Sequence, residues 1–165
     1  MRSIVSQQLS GKAAATIYGR LEGAVEAMTP EGILALETAR LREIGLSGQK
    51  ASYVRDLAEK TRTGAVDFEA LPSMDDEAVI AHLTAVKGIG VWTVQMFLMF
   101  ALRREDVLPV ADLGIRTAMK RQYGLAELPK PEEMQRIAEA WRPHRTMACW
   151  YLWRSLDNMG GAELG

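Results

Sequence analysis

The stretch Leu83-Thr84-Ala85-Val86-Lys87-Gly88-Ile89-Gly90-Val91-Trp92-Thr93 places two glycines two apart, between a helix end and a strongly apolar segment that continues to Leu102. The segment from Val91 to Leu102 is hydrophobic nearly all round, which predicts a central buried helix. It contains Thr93 and Gln95 and is too short to span a bilayer. Glycines in a tight turn allow positive φ and let a ligand approach the backbone closely. The N–H groups of Gly88 and Gly90, with the N-terminus of the helix that follows, would converge on an anion such as a phosphate. Lys87 adds a mobile positive charge, and the carbonyls of Thr84, Val86 and Ile89 on the opposite side of the turn can hold a monovalent cation. The same pattern also fits a plain turn between helices, with Gly88 as a C-cap and Ile89 plugging the core.

Outward from this hairpin, helix signals dominate. Ser10 is placed to cap a helix over 11–27, and Thr29-Pro30 reads as an N-cap followed by a first-position proline, opening a short helix to about Leu36. A helix over 38–44 is stopped by Gly45, and Ser47 caps the next. There Ala51, Val54, Leu57 and Ala58 fall at helical spacing before Gly64. Ser73 with Asp75, Asp76 and Glu77 puts negative charge on the N-terminus of a helix running to about Leu83. After the hairpin, residues 103–111 connect to a helix from Leu113 to Tyr123. A linker with Pro129 and Pro131 leads to a helix through Trp141, and a last helix covers 146–158. No run alternates apolar and polar residues convincingly, so the class is all-α, with a division between lobes near Pro72. Leu41 to Ser47 weakly repeats the helix–glycine turn–helix pattern of Leu83 to Gly90. Residues 1–159 read as one domain and 160–165 as a loose tail.

The composition sets limits on function. The chain has 165 residues, 48% hydrophobic and 25% charged, which suits a globular core and excludes disorder. One cysteine, Cys149, excludes a disulfide scaffold and a four-cysteine metal site within this chain. Its expected role is a small buried hydrophobe. No apolar stretch follows Arg2, so the start does not read as a signal peptide, and a soluble protein of a reducing compartment is expected. The net charge of −1 gives no bulk support to polyanion binding. Residues 78–165 do hold eleven basic against nine acidic side chains, while residues 1–77 hold nine against twelve, so a local patch falls on the second half.

The hairpin, followed twenty residues after Trp92 by Asp112 in Pro109-Val110-Ala111-Asp112-Leu113-Gly114-Ile115-Arg116, resembles the helix–hairpin–helix DNA glycosylases. Within them it is most similar to the 3-methyladenine DNA glycosylase II group, which excises alkylated purines. Further matches are Ser3-Ile4-Val5-Ser6-Gln7-Gln8-Leu9-Ser10-Gly11-Lys12 and Gly45-Leu46-Ser47 with Lys50 and Tyr53. Trp141-Arg142-Pro143-His144-Arg145 and Trp153 complete the set. The segments follow the family order over nearly the whole chain. Family members usually carry more chain ahead of the Ser-Ile-Val-Ser-Gln-Gln element, so the expectation is either a natural minimal form without the N-terminal family segment or a chain whose start is missing.

The resemblance implies two helical lobes with an active-site cleft between them, and it assigns roles to residues that local pattern reads more plainly. Asp112 directly precedes a helix and reads as its N-cap; the resemblance makes it the catalytic carboxylate as well. Cleaving an N-glycosidic bond leaves an oxocarbenium-like sugar, which a fixed carboxylate can stabilise while orienting a water. Trp92 and Trp153 read as core, the latter in a packing stripe with Trp150 and Leu156; the resemblance places both, and more weakly Tyr53, in the base pocket. Gln8 reads as a solvated first turn, and by resemblance lies near the wedge that replaces a flipped nucleotide. Lys87, Gly88, Ile89, Gly90 and Thr93 form the implied DNA-binding hairpin. Arg116, with Lys120 on the same face, suits a phosphate contact or a solvated surface equally. His82 and His144 are not spaced as ligands and are expected to be structural.

The expected activity is therefore hydrolysis of alkylated purines from double-stranded DNA by base flipping in base excision repair. The protein would act as a monomer without a membrane, with no cofactor beyond a structural Na⁺ or K⁺ at the hairpin. The site would be the bacterial cytoplasm and nucleoid, or the nucleus in a eukaryote. In family members that also cut the strand, a lysine stands where this chain has Trp92, so lyase activity is not expected. Two alternatives stand: a glycosylase for uracil, other deaminated or mismatched bases, and a non-catalytic helix–hairpin–helix DNA-binding module. The second would have no use for Asp112 with two pocket tryptophans.

Overall fold

A computed structural model describes residues 1–160 of the chain. Every regular element among them is helical. The chain separates into two compact units, Met1–Val94 and Gln95 onward. The boundary is not at Pro72, because Leu71 and Val79 on either side of that proline are both fully buried in the first unit.

In the first unit α1 (Arg2–Ser6) leads to α2 (Gly11–Gly23), capped by Ser10 Oγ on the Ala13 N–H at 3.4 Å. This helix stops four residues short of the expected Ala27, and residues 24–29 turn toward Thr29. Thr29 caps α3 (Pro30–Ala35) with proline in its first turn, and Gly45 ends α4 (Thr38–Ile44) at φ +117°, a conformation that favours glycine. Ser47 caps α5 (Gly48–Arg62), whose buried face is Ala51, Val54, Leu57 and Ala58, as the spacing predicts. This helix packs against α1, α3 and α4 and so organises the unit. A 3-10 turn, Leu71–Ser73, takes Ser73 out of the next helix; Asp75 caps α6 (Asp76–Thr84) by accepting the Ala78 N–H at 2.7 Å. His82 is structural, its Nε2 accepting the Asp67 N–H at 3.0 Å.

Helix α7 (Val91–Phe100) begins in the first unit and continues into the second. It is not buried all round. Val94, Leu98 and Met99 are buried, whereas Val91, Trp92 and Phe100 are 50%, 46% and 60% exposed. Hydrophobicity on every face predicts burial, but both ends of the helix present apolar side chains to solvent, a pattern associated with ligand surfaces. In the second unit α8 (Leu113–Gln122) packs on α10 (Arg145–Gly160), with α9 (Pro131–Ala138) and a 3-10 turn, Glu139–Trp141, between them in sequence. Ile115, Met119, Met134, Cys149 and Leu152 supply its core. Trp150 does not share the packing stripe expected of it and is 48% exposed. Asp106 anchors the start of α10, accepting from Arg145 Nε at 2.6 Å and from Arg142 Nη1 at 2.9 Å. Residues 161–165, most of the expected tail, lie outside the described residues.

Candidate functional site

Asp112 ends the connection after α7 in an extended conformation, φ −72° and ψ 117°, which directs its side chain back over the first turn of α8. Its Oδ1 accepts the Ile115 N–H at 2.8 Å, so the N-cap expectation holds. The same oxygen accepts Trp153 Nε1 at 2.9 Å, from a residue 41 positions later on α10. Asp112 is 8% exposed, the charged residue in the buried set among the described residues. Two N–H donors on one oxygen offset its desolvation and fix the carboxylate plane.

Gly114 leaves room beside that contact. A Cβ there would lie 3.1 Å from Asp112 Oδ1 and from Cδ1 and Nε1 of Trp153. Trp153 is half-buried, and its indole stacks on Phe100 with ring centroids 6.0 Å apart and an interplanar angle of 29°. Trp153 thus has an edge bound to the carboxylate and a face against an exposed phenyl ring. One turn earlier on α10 Cys149 is fully buried, and burial, with the Asp112 charge adding to it, pushes its thiol up to about 12. An open cavity of about 510 Å³ in the same unit is lined by Gln122, Tyr123, Trp141, Ala148, Tyr151, Leu152 and Ser155, and includes neither Asp112 nor Trp153.

The hairpin belongs to the first unit. Gly88 has φ +78°, and a Cβ there would overlap the ring of Tyr53, so glycine is needed twice over. Gly90 differs: nothing lies within 4 Å of where its Cβ would stand. The turn closes through the Ile89 N–H on the Val86 carbonyl at 3.1 Å, and Ile89 is half-buried instead of plugging the core. Asp56 Oδ2 accepts the Lys87 backbone N–H at 2.8 Å and meets Lys60 Nζ at 2.6 Å. Burial raises the Asp56 carboxyl, but these partners outweigh it and leave the group below the usual range. The Lys87 side chain is exposed, Thr93 half-buried, and Trp92 exposed at the start of α7. The Val94 N–H closes the first turn of that helix on the Gly90 carbonyl at 3.1 Å.

Tyr53, a base-pocket candidate by resemblance, packs its ring under Gly88 and receives Gln49 Nε2 on its hydroxyl at 2.6 Å. Gln8 is exposed at φ +55°, uncommon for a residue with a side chain and costing about 1–2 kcal/mol. Arg116 is half-buried, with Nε donating to the Pro129 carbonyl at 3.1 Å. His144 lies 3.7 Å from Glu105 at the surface. Sequence reasoning missed Phe100, the Trp153–Asp112 bond and the contacts of Gln7 and Lys50; none has a local signature. Among the described residues, no cluster of three or more His, Cys, Asp or Glu side chains is arranged to hold a metal ion. No helix among them is long and apolar enough to cross a membrane.

Residues 1–143 match the HhH-GPD family, described as a superfamily of base excision DNA repair proteins. The chain is 36% identical over 159 residues to DNA-3-methyladenine glycosylase 1 of Schizosaccharomyces pombe, covering 94% of this chain and 70% of that protein. A solved structure of the Schizosaccharomyces pombe 3-methyladenine DNA glycosylase in complex with abasic DNA superposes with a TM-score of 0.79, at 36% identity, over 93% of this chain and 76% of that one. A DNA-3-methyladenine glycosidase from Bacillus halodurans gives a TM-score of 0.85 at 42% identity, over 93% of this chain and 72% of that one. The chain spans 58% to 70% of the length of the first curated relatives it matches.

Proposed function

The chain belongs to the HhH-GPD superfamily of base excision DNA repair proteins, and we propose from that premise that it is a DNA glycosylase hydrolysing the N-glycosidic bond of alkylated purines. The observation that carries this reading is the buried Asp112 carboxylate, held by the Ile115 N–H and the Trp153 indole N–H. A helix cap alone needs only the first of these bonds. The second orients the group, as a reaction that builds positive charge on a sugar requires.

In the proposed reaction the target nucleotide leaves the helix stack, at a cost of a few kcal/mol. A purine methylated at N3 or N7 is already cationic. When its bond to C1′ breaks, the bonding pair leaves with the base and neutralises it, so no general acid is required. Asp112 stabilises the oxocarbenium-like sugar and orients a water, which adds to C1′ and gives up its proton to the carboxylate or to solvent. A cationic base gains about 1–3 kcal/mol by stacking on indole, the role proposed for Trp92 and Trp153. This gain favours damaged over normal bases. Gln8 serves as the wedge, and the backbone at Gly88 and Gly90 binds a phosphate of double-stranded DNA. The carbonyls of Thr84, Val86 and Ile89 would hold a Na⁺ or K⁺. The Val86 oxygen accepts the Ile89 N–H and keeps a second lone pair for such an ion.

We also propose that the enzyme is monofunctional and monomeric, acting in the compartment that holds the genome. Indole at position 92 cannot form a Schiff base, and no lysine falls between Lys87 and Lys120. The test is incubation with methylated duplex DNA. Release of 3-methyladenine or 7-methylguanine, with strands that break only after hot alkali, supports the reading. No released base, or a complex trapped by borohydride, overturns the activity or the monofunctional assignment respectively.

A further inference from the structure

The turn that carries Gln8 and the hairpin that carries Gly88 are 80 residues apart in sequence, yet both are fastened to one face of α5. Lys50 Nζ donates to the carbonyls of Val5 at 2.7 Å and Gln7 at 2.5 Å, at the C-terminal end of α1 where a cation is favourable. Three residues on, the Tyr53 ring lies under Gly88. Three further, Asp56 Oδ2 accepts the Lys87 N–H at 2.8 Å. The two turns are also joined directly, by Gln7 Nε2 on the Gly88 carbonyl at 2.8 Å. Between the residues held by Lys50 and Gln7 and the exposed Leu9, Gln8 is left in the left-handed region at φ +55°.

A residue with a side chain stays in that region only when its surroundings over-determine it, and such strain concentrates where a side chain is being aimed. A five-residue helix has little stability of its own, so α1 cannot fix the turn without help. We infer that Lys50 and Gln7 are positioning residues: they hold the Gln8 turn in its strained form at a set distance from the phosphate-binding hairpin, so that one docking event aligns the wedge with the duplex. This rests on the glycosylase reading. It assigns specific work to two residues that would touch neither base nor sugar. Burial, which lowers the Lys50 ammonium below its usual range, is consistent with a side chain committed to carbonyl partners instead of solvent.

The experiment is a double-mutant cycle read in duplex DNA with 2-aminopurine opposite a 7-methylguanine or an abasic-site analogue. Fluorescence follows insertion into the helix, and single-turnover excision follows the chemistry. Lys50→Met keeps the side-chain length and removes the donors; Gln7→Ala cuts only the tie to the hairpin. Each alone should reduce insertion and duplex excision about 10-fold. In a Gln8→Ala background each should add less than twofold, because the wedge they aim is gone. Excision of the same lesion in an unpaired bulge, where flipping needs no wedge, should stay within about threefold of wild type. Should Lys50→Met fail to fold by thermal melt, Gln7→Ala decides the question by the same cycle. Additive losses with Gln8→Ala, or equal losses in bulge and duplex, would mean a merely structural role and overturn the inference. A wild type that excises from neither substrate overturns the glycosylase reading itself, and the positioning role with it.

Discussion

The indole N–H of Trp153 donates to Asp112 Oδ1 at 2.9 Å, and that oxygen also takes the Ile115 N–H at 2.8 Å. The carboxylate is thereby fixed by α8 on one side and α10 on the other. Trp153→Phe keeps an aromatic face against Phe100 but removes the donor. Its expected cost in stability is about 1.5–3 kcal/mol, the net value of a hydrogen bond to a charged group. Excision should fall about 10-fold with little change in affinity for an abasic duplex. Loss of affinity without loss of turnover would instead make Trp153 a binding contact alone.

The two hairpin glycines should behave differently. Gly88→Ala meets both φ +78° and the Tyr53 ring, so it should lower the melting temperature clearly and weaken DNA binding as a consequence of damage to the turn. Gly90→Ala meets open space in the free protein. A drop in affinity there, in a variant that melts like wild type, reports close approach of the DNA backbone. A fluorescence titration over a range of salt concentrations separates the cases, since Lys87→Ala should reduce the salt slope by about 1 while Gly90→Ala leaves it unchanged. Wild-type affinity in Gly90→Ala would remove the hairpin from the interface.

Acid stability follows from Asp106. The hydrogen bond from Arg145 holds its carboxyl below the usual range, against the opposing effect of burial, with Arg142 adding to the shift. A depressed folded-state pKa contributes stability that is complete above the unfolded value of about 3.9 and lost as pH falls toward the folded value. Melting temperature should therefore decline below about pH 4. Asp106→Asn should start lower at neutral pH and show a shallower decline. An unchanged decline would place the acid sensitivity elsewhere.

Much of this was legible in the chain because it is local. Ser10, Thr29, Ser47 and Asp112 cap the helices they precede, and Gly45 and Gly88 take the positive φ that their turns need. Boundaries and faces are less legible. Ser73 competes with Asp75 two residues on, and the residue whose oxygen reaches the N3 amide wins. Helix α7 is apolar on all sides, and no periodicity remains to show that Trp92 and Phe100 are its exposed ends. The Lys50 contacts with Val5 and Gln7 span more than 40 residues, as does the Trp153 contact with Asp112. Such bonds exist only once the helices have packed, so no spacing rule foretells them.

The most direct test is single-turnover excision of 7-methylguanine from a duplex by Asp112→Asn. Asparagine retains Oδ1, so it can accept from both Ile115 and Trp153, and the fold and affinity for an abasic duplex should be kept. What it loses is the negative charge proposed to stabilise the sugar cation. Excision should fall by roughly 10²-fold or more, the scale of a positioned catalytic group. Excision within twofold of wild type, from a variant of normal stability and DNA affinity, would show that Asp112 is a helix cap and nothing further.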